Sequence, residues 1–215
     1  MCGRYVIDDD DDVADIKKIF EKLKKYYSDT VEFQNVKKGE IFPTNTVPII
    51  IPEKEFNIDV VPMQWGIKSF NEKLIINARC EGIHERSMFK KAIVNKRCII
   101  PANGFYEWAK QQNSSGSNNS KKEKYLIKPA NTPVLYFAGI YDTFIDPQTN
   151  KEQIRFVIIT KEARGLIRSL HNRMPVTVER KHMLKWLNGN LNHVSEFFTD
   201  TDAPEYTFTN LGSAG

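Results

Sequence analysis

Five side chains in this sequence stand out for the chemistry they can do: Cys2, Asn77, Glu107, His171 and Arg173. Cys2 directly follows Met1, and a residue that small permits removal of the initiator methionine, so the mature chain is expected to begin at Cys2. An N-terminal cysteine carries an α-amine and a thiol on adjacent carbons. The amine titrates at about 7.7–8.0 and the thiol near roughly 8.5, so both nucleophiles are populated near neutrality. Such an aminothiol attacks a carbonyl carbon twice, first through nitrogen and then through sulfur. Glu107 lies in Gly104-Phe105-Tyr106-Glu107-Trp108, one carboxyl among three aromatics. An apolar setting raises a carboxyl pKa and suits it to proton transfer. His171 and Arg173 share a short polar loop stopped by Pro175. Two combinations are open. In one, Cys2 attacks an aldehyde while Glu107 and His171 move protons and Asn77 holds the N-terminus or an oxyanion. In the other, the Cys2 thiolate attacks a peptide bond with His171 as base. Separation along the chain does not choose between them.

No metal site or cofactor is expected. Cys80, His84 and Cys98 lack metal-ligand spacing, and both cysteines read as buried strand residues. His182 and His193 read as surface residues. The five acids from Asp8 to Asp12 read as a solvated turn ending in a helix cap at Asp12.

These groups need a scaffold. The chain has 215 residues, 40% hydrophobic and 11% aromatic, enough to fold as one domain spanning 1–215. The net charge of +4 is compatible with an anionic ligand. An odd set of three cysteines favours a reducing cytosol. The acidic start does not read as a secretory leader, and no apolar run is long enough for a membrane span, so a cytoplasmic protein is expected. Strands are expected at 4–7, 56–65 (as a pair), 74–81, 97–101, 102–108, 124–128, 134–141, 154–160 and 176–178, and 40–51 reads as a loop leading into a buried strand. Helices are expected behind Asp12 to Tyr27, at 87–95, 165–170 and 179–187. Within 74–81 the alternation sets Ile76, Ala78 and Cys80 against Asn77, Arg79 and Glu81. Residues 28–40 read as polar linker, 111–123 as a flexible loop inside the domain, and 197–215 as an irregular tail anchored by Phe208 and Leu211.

The segments Met1-Cys2-Gly3-Arg4-Tyr5, Trp65-Gly66, Asn77-Ala78-Arg79-Cys80-Glu81, Met88-Phe89, Arg97 to Trp108, Phe137-Ala138-Gly139 and His171-Asn172-Arg173-Met174-Pro175 together resemble the SRAP (SOS response-associated peptidase) family. The resemblance implies an α+β fold: a single domain with a β-barrel-like core of mostly antiparallel strands flanked by helices. It implies a sensor that binds single-stranded DNA and links itself covalently to abasic sites, where the opened deoxyribose presents an aldehyde. The Cys2 amine would form a Schiff base there and its thiol would close a thiazolidine. Asn77 would orient Cys2, and Glu107 and His171 would act as acid and base. DNA-binding roles would fall to Arg4, Pro43, Phe70, Arg79, Met88 and Arg173. The family name keeps a second reading open, a thiol peptidase or self-processing hydrolase. A monomer is the simplest assembly. The chain departs from the family pattern in three places. Glu40-Ile41-Phe42-Pro43 stands where many members have Asn-x-Ala-Pro. The loop after Trp65-Gly66 is short and leaves Phe70 to stack on a base, worth about 1–3 kcal/mol. Asn172 follows His171 where Asp is usual.

Overall fold

The computed structural model describes residues 2–9, 13–54, 57–69, 73–110, 122–145, 150, 152–199 and 204–213. In chain order, β1 (Tyr5–Ile7) leads to α1 (Ala14–Tyr27), α2 (Val31–Gln34), β2 (Gly39–Ile41), β3 (Thr46–Pro52) and β4 (Ile58–Trp65). Next come β5 (Ile67–Lys68), β6 (Leu74–Ile75), β7 (Asn77–Arg79), α3 (Ala92–Asn95), β8 (Arg97–Ala102) and β9 (Gly104–Lys110). The rest is β10 (Lys122–Pro129), β11 (Leu135–Ile145), β12 (Glu152–Glu162), α4 (Gly165–Leu170), β13 (Arg173–Pro175), α5 (Met183–Asn188), α6 (Leu191–Glu196) and β14 (Tyr206–Ser213).

Five strands close on themselves. β11 pairs with β8, β8 with β3, β3 with β4, β4 with β12, and β12 returns to β11. Every contact of the ring is antiparallel except β4 with β12. Closure leaves these strands no open edge. It also explains why β8 and the centre of β12 read as continuous apolar runs: all of Arg97–Ala102 and Phe156–Lys161 is buried. β12 runs past the ring, where β7 joins it in parallel and β13 joins it antiparallel. A second antiparallel sheet, in the order β14-β10-β9-β1-β2, packs against the barrel. The seam between them is aromatic. Tyr5 meets Trp65 with ring centroids 5.2 Å apart, and Phe105 and Tyr5 both set their edges on Phe137 at 6.0 and 6.1 Å. The expected α+β class and mostly antiparallel barrel core are therefore what the chain forms.

Helix α1 buries Ile16, Ile19, Phe20 and Leu23 and packs on β3 and β4. Its N-cap is Val13, without a side-chain cap; Asp12 lies outside the described residues. Arg97, 4% exposed, fastens α3 and α5 to the barrel. Its guanidinium donates to the carbonyls of Ile93, Val94, Trp186, Leu187 and Gly189, which end those two helices.

Several sequence expectations need correction. Residues 28–40 are not linker throughout: Thr30 caps α2 by accepting the Phe33 N–H, and Gly39 opens β2. The expected strand pair at 56–65 is the single strand β4, with Phe56 outside the described residues. The expected strand 74–81 is split into β6 and β7, although its facing pattern holds from Asn77 onward. Helix 87–95 shortens to α3, and 176–178 gives way to β13 just before it. Helix 179–187 begins as a 3-10 turn at Arg180–His182 and continues as α5. The tail is not irregular, because β14 pairs with β10 along Pro129 to Glu123, and α6 precedes it. Phe208 packs against the core from β14, but Leu211 is exposed. Of the 111–123 loop, Lys122 and Glu123 belong to β10, and 111–121 lie outside the described residues.

Candidate active site

β1 enters the second sheet three residues after Cys2, between β2 and β9. This pins the start of the chain, which would otherwise fray. Cys2 is fully buried, and its thiol points at the Arg4 carbonyl at 4.0 Å. Asn77 opens β7, whose parallel register on β12 sets it beside Ile158. Its amide donates to the Cys2 carbonyl at 2.9 Å, so a strand appended to the barrel holds the residue that leads into the other sheet. The Asn77 Oδ1 is buried and accepts no hydrogen bond from the described residues.

Glu107 sits on β9, next to β1. Strand alternation turns Phe105 and Glu107 toward the barrel and Tyr106 and Trp108 away from it. Glu107 is 3% exposed. Burial pushes its carboxyl up to about 7, although the positive amino terminus and the Trp108 backbone N–H pull the other way. Near neutrality it is poised between acid and base. Burial and the Glu107 carboxylate drive the Cys2 thiol far above its ordinary range, so the resting sulfur is a thiol rather than a thiolate.

His171 ends α4, and α4 packs on β9. Its Nδ1 accepts the Arg173 backbone N–H at 2.9 Å. The proton of the neutral imidazole therefore lies on Nε2. Burial, the charge of the amino terminus and Arg173 lower its pKa, against the Arg173 hydrogen bond, so the ring is neutral at neutral pH. The structure thus brings Cys2, Asn77, Glu107 and His171 together around the chain's start.

The residues expected to touch DNA are placed differently from one another. Arg79 is exposed at the end of β7, and Pro43 and Met88 are half-buried in turns. Phe70 lies outside the described residues. Arg4 lies on the outer face of the second sheet, stacked over Phe42 at 4.0 Å and Trp108 at 5.2 Å. Arg173 is not an open phosphate contact here. It is 8% exposed and forms a fork of two 2.8 Å bonds to Glu81, with a further 2.6 Å bond to the Thr160 carbonyl. Its guanidinium holds the Glu81 carboxyl down at about 2. It braces the loop that carries His171.

Sequence reasoning passed over Tyr5, Glu40 and Lys124. Tyr5 is fully buried beside Cys2, and its hydroxyl has no hydrogen-bond partner among the described residues. Glu40 meets both Arg4 and Lys124. Lys124 is opposite Trp108 across β9 and β10, a register that the alternation of both strands allows but does not fix. Cys98 lies in β8 and Cys80 just past β7, both buried, while His84 is exposed; His182 is half-buried with its ring edge-on to Phe197, and His193 is exposed. No described helix is long and apolar enough to cross a membrane.

Comparison with known proteins gives the family and the fold. Residues 1–212 match the family model for SOS response associated peptidase (SRAP). The Bacillus subtilis proteins called abasic site processing protein YoaM and YoqW are 31% and 30% identical to this chain, each over 87% of it, and the matches span 79% and 80% of those proteins. An X-ray structure of a Bacteroides thetaiotaomicron protein superposes with a TM-score of 0.75 at 25% identity, covering 97% of this chain and 91% of that one.

Proposed function

We propose that this chain, which belongs to the SOS response associated peptidase family, processes abasic sites in single-stranded DNA by forming a covalent thiazolidine through Cys2 once Met1 has been removed. One observation carries the reading: Asn77 fixes the Cys2 carbonyl at 2.9 Å beside a Glu107 carboxyl that titrates at about 7.

The steps follow from these groups. The Glu107 carboxylate takes a proton from the Cys2 ammonium, and the free amine adds to the C1 aldehyde of the opened sugar. The protonated carboxyl returns the proton to the carbinolamine hydroxyl, which leaves as water and gives the imine. The Cys2 sulfur then bonds to C1, its proton passes to nitrogen, and the ring closes with one water lost overall. His171, neutral and protonated on Nε2, is placed to steady the sugar hydroxyl and shuttle protons. Arg79 and Arg4 hold phosphates flanking the lesion, with Pro43, Met88 and Phe70 shaping the path of the strand. Arg173 acts through His171 and Glu81.

A single-stranded oligonucleotide bearing one abasic site, incubated with protein shown by mass spectrometry to begin at Cys2, should give a species that survives a denaturing gel. The intact oligonucleotide and Cys2→Ala should give none. If protein beginning at Cys2 forms no such species, the reading fails. Asn77→Ala should slow the reaction at least tenfold while leaving binding of the oligonucleotide in place.

A further inference from the structure

We propose that Glu40 occupies, between Arg4 and Lys124, the place that a DNA phosphate takes, so that bound DNA exchanges with this carboxylate and Lys124 is a DNA contact. The proposal rests on the single-stranded DNA reading above.

One Glu40 oxygen, Oε1, accepts from Arg4 Nη1 at 3.1 Å and from Lys124 Nζ at 2.7 Å. Two cations converging on one anionic oxygen is the arrangement that phosphate oxygens receive. The carboxylate is not needed to aim either cation. Arg4 is already laid over Phe42 and Trp108, and Lys124 over Tyr106 at 4.1 Å and Trp108 at 6.0 Å. The cluster is reachable from solvent, with the side chains of Arg4, Glu40 and Lys124 exposed by 30%, 29% and 20%. Glu40 belongs to the three-residue strand β2 at the end of its sheet, beside Val6. Aromatic faces and cations along one sheet face are also what an unpaired strand stacks on. Burial acts to raise the Glu40 pKa, but Lys124 and Arg4 hold it below the ordinary carboxylate range, so the carboxylate stays charged near neutrality.

Fluorescence anisotropy with an undamaged labelled single-stranded oligonucleotide over a salt series tests this, with thermal melts to show that each variant is folded. Glu40→Gln should bind about three- to tenfold tighter at low salt, the scale of two partly exposed ion pairs that binding no longer breaks. Its log–log salt dependence should stay close to that of wild type, because the same phosphate is neutralised in both. Lys124→Gln should bind more weakly and flatten the dependence by about 0.7, the increment for one phosphate on a single strand. If wild type binds and Glu40→Gln is unchanged or weaker, Glu40 only orients its neighbours and the proposal is overturned, while the DNA reading stands. Binding by Glu40→Gln alone supports it. No binding and no abasic crosslink by either protein overturns both.

Discussion

The site is decided by single groups in unusual surroundings, and Glu107 is the one whose behaviour is easiest to read out. A carboxyl raised from 4.5 to about 7 by burial keeps its proton in the folded chain at pH values where the unfolded chain has lost it. Its stabilising contribution is complete below about pH 4.5 and is lost as pH rises through about 7. The difference is worth roughly 3 kcal/mol. Urea unfolding at a series of pH values should show wild type losing stability over that window, and Glu107→Gln should not share the loss. The same titration should appear in catalysis. Crosslinking should quicken with pH through about 7 in wild type as the carboxylate that accepts the amine proton forms. In Glu107→Gln it should lose that inflection and run about a hundredfold or more slower. A Gln variant that reacts at the wild-type rate with the wild-type pH profile would remove Glu107 from the mechanism. Glu107 was legible in the sequence because three aromatics surround it within five residues. The pairing of Arg173 with Glu81 was not legible, because the two lie ninety-two positions apart along the chain.

At the scale of elements, packing depends on a charge with no carboxylate among its described contacts. Arg97 feeds five carbonyls at the ends of α3 and α5, and its bonds to those of Ile93, Trp186 and Leu187 are buried, so losing the guanidinium removes their donor away from water. Arg97→Met keeps the apolar stem and removes the donors, so it should cost at least about 3 kcal/mol in urea unfolding. Arg97→Lys should recover only part of this, because one ammonium cannot fork to both helix ends. A near-neutral Arg97→Met would show that water reaches these carbonyls and satisfies them. The sequence announced Arg97 only as the start of a strand; five acceptors contributed by two helices leave no periodic trace. The elements themselves were legible where side-chain alternation or the helical period was strong, as in β8, β9, β11, β12, α1 and α4. They were missed where pairing came from far along the chain. β14 alternates half-buried with exposed residues only as far as Phe208 and then is exposed throughout, and it is a strand because β10 offers it an edge.

At the scale of the whole molecule, the barrel and the second sheet share a single buried core, and the candidate site draws on both. Cys2 leads into the sheet and Glu107 belongs to it, Asn77 lies on a strand appended to the barrel, and His171 caps the helix that follows β12. Closing the five-strand ring therefore sets the distance between Asn77 and Cys2. No local pattern in the sequence contains that relation, which is why the four residues could be named as candidates but not assembled. The ring is tightest where β11 passes between β8 and β12 at Gly139, paired with Cys98 on one side and Ile158 on the other. A Cβ on Gly139 would meet Ile100 Cδ1 at 2.4 Å, Cys98 Sγ at 3.0 Å and the Val157 carbonyl oxygen at 3.0 Å. The Ile100 methyl can turn aside, but the Val157 oxygen belongs to the neighbouring backbone and cannot move without moving β12. Gly139→Ala should therefore destabilise the fold by about 1–3 kcal/mol through overpacking. Because β12 carries β7, the shift should also reach Asn77 and slow crosslinking by more than the lost stability explains at a temperature where the variant remains folded. Melting temperature and single-turnover crosslinking measured on the same variant separate the two effects. A destabilised Gly139→Ala that reacts at the wild-type rate would show that the barrel can adjust at β11 without disturbing the hold of β7 on Cys2.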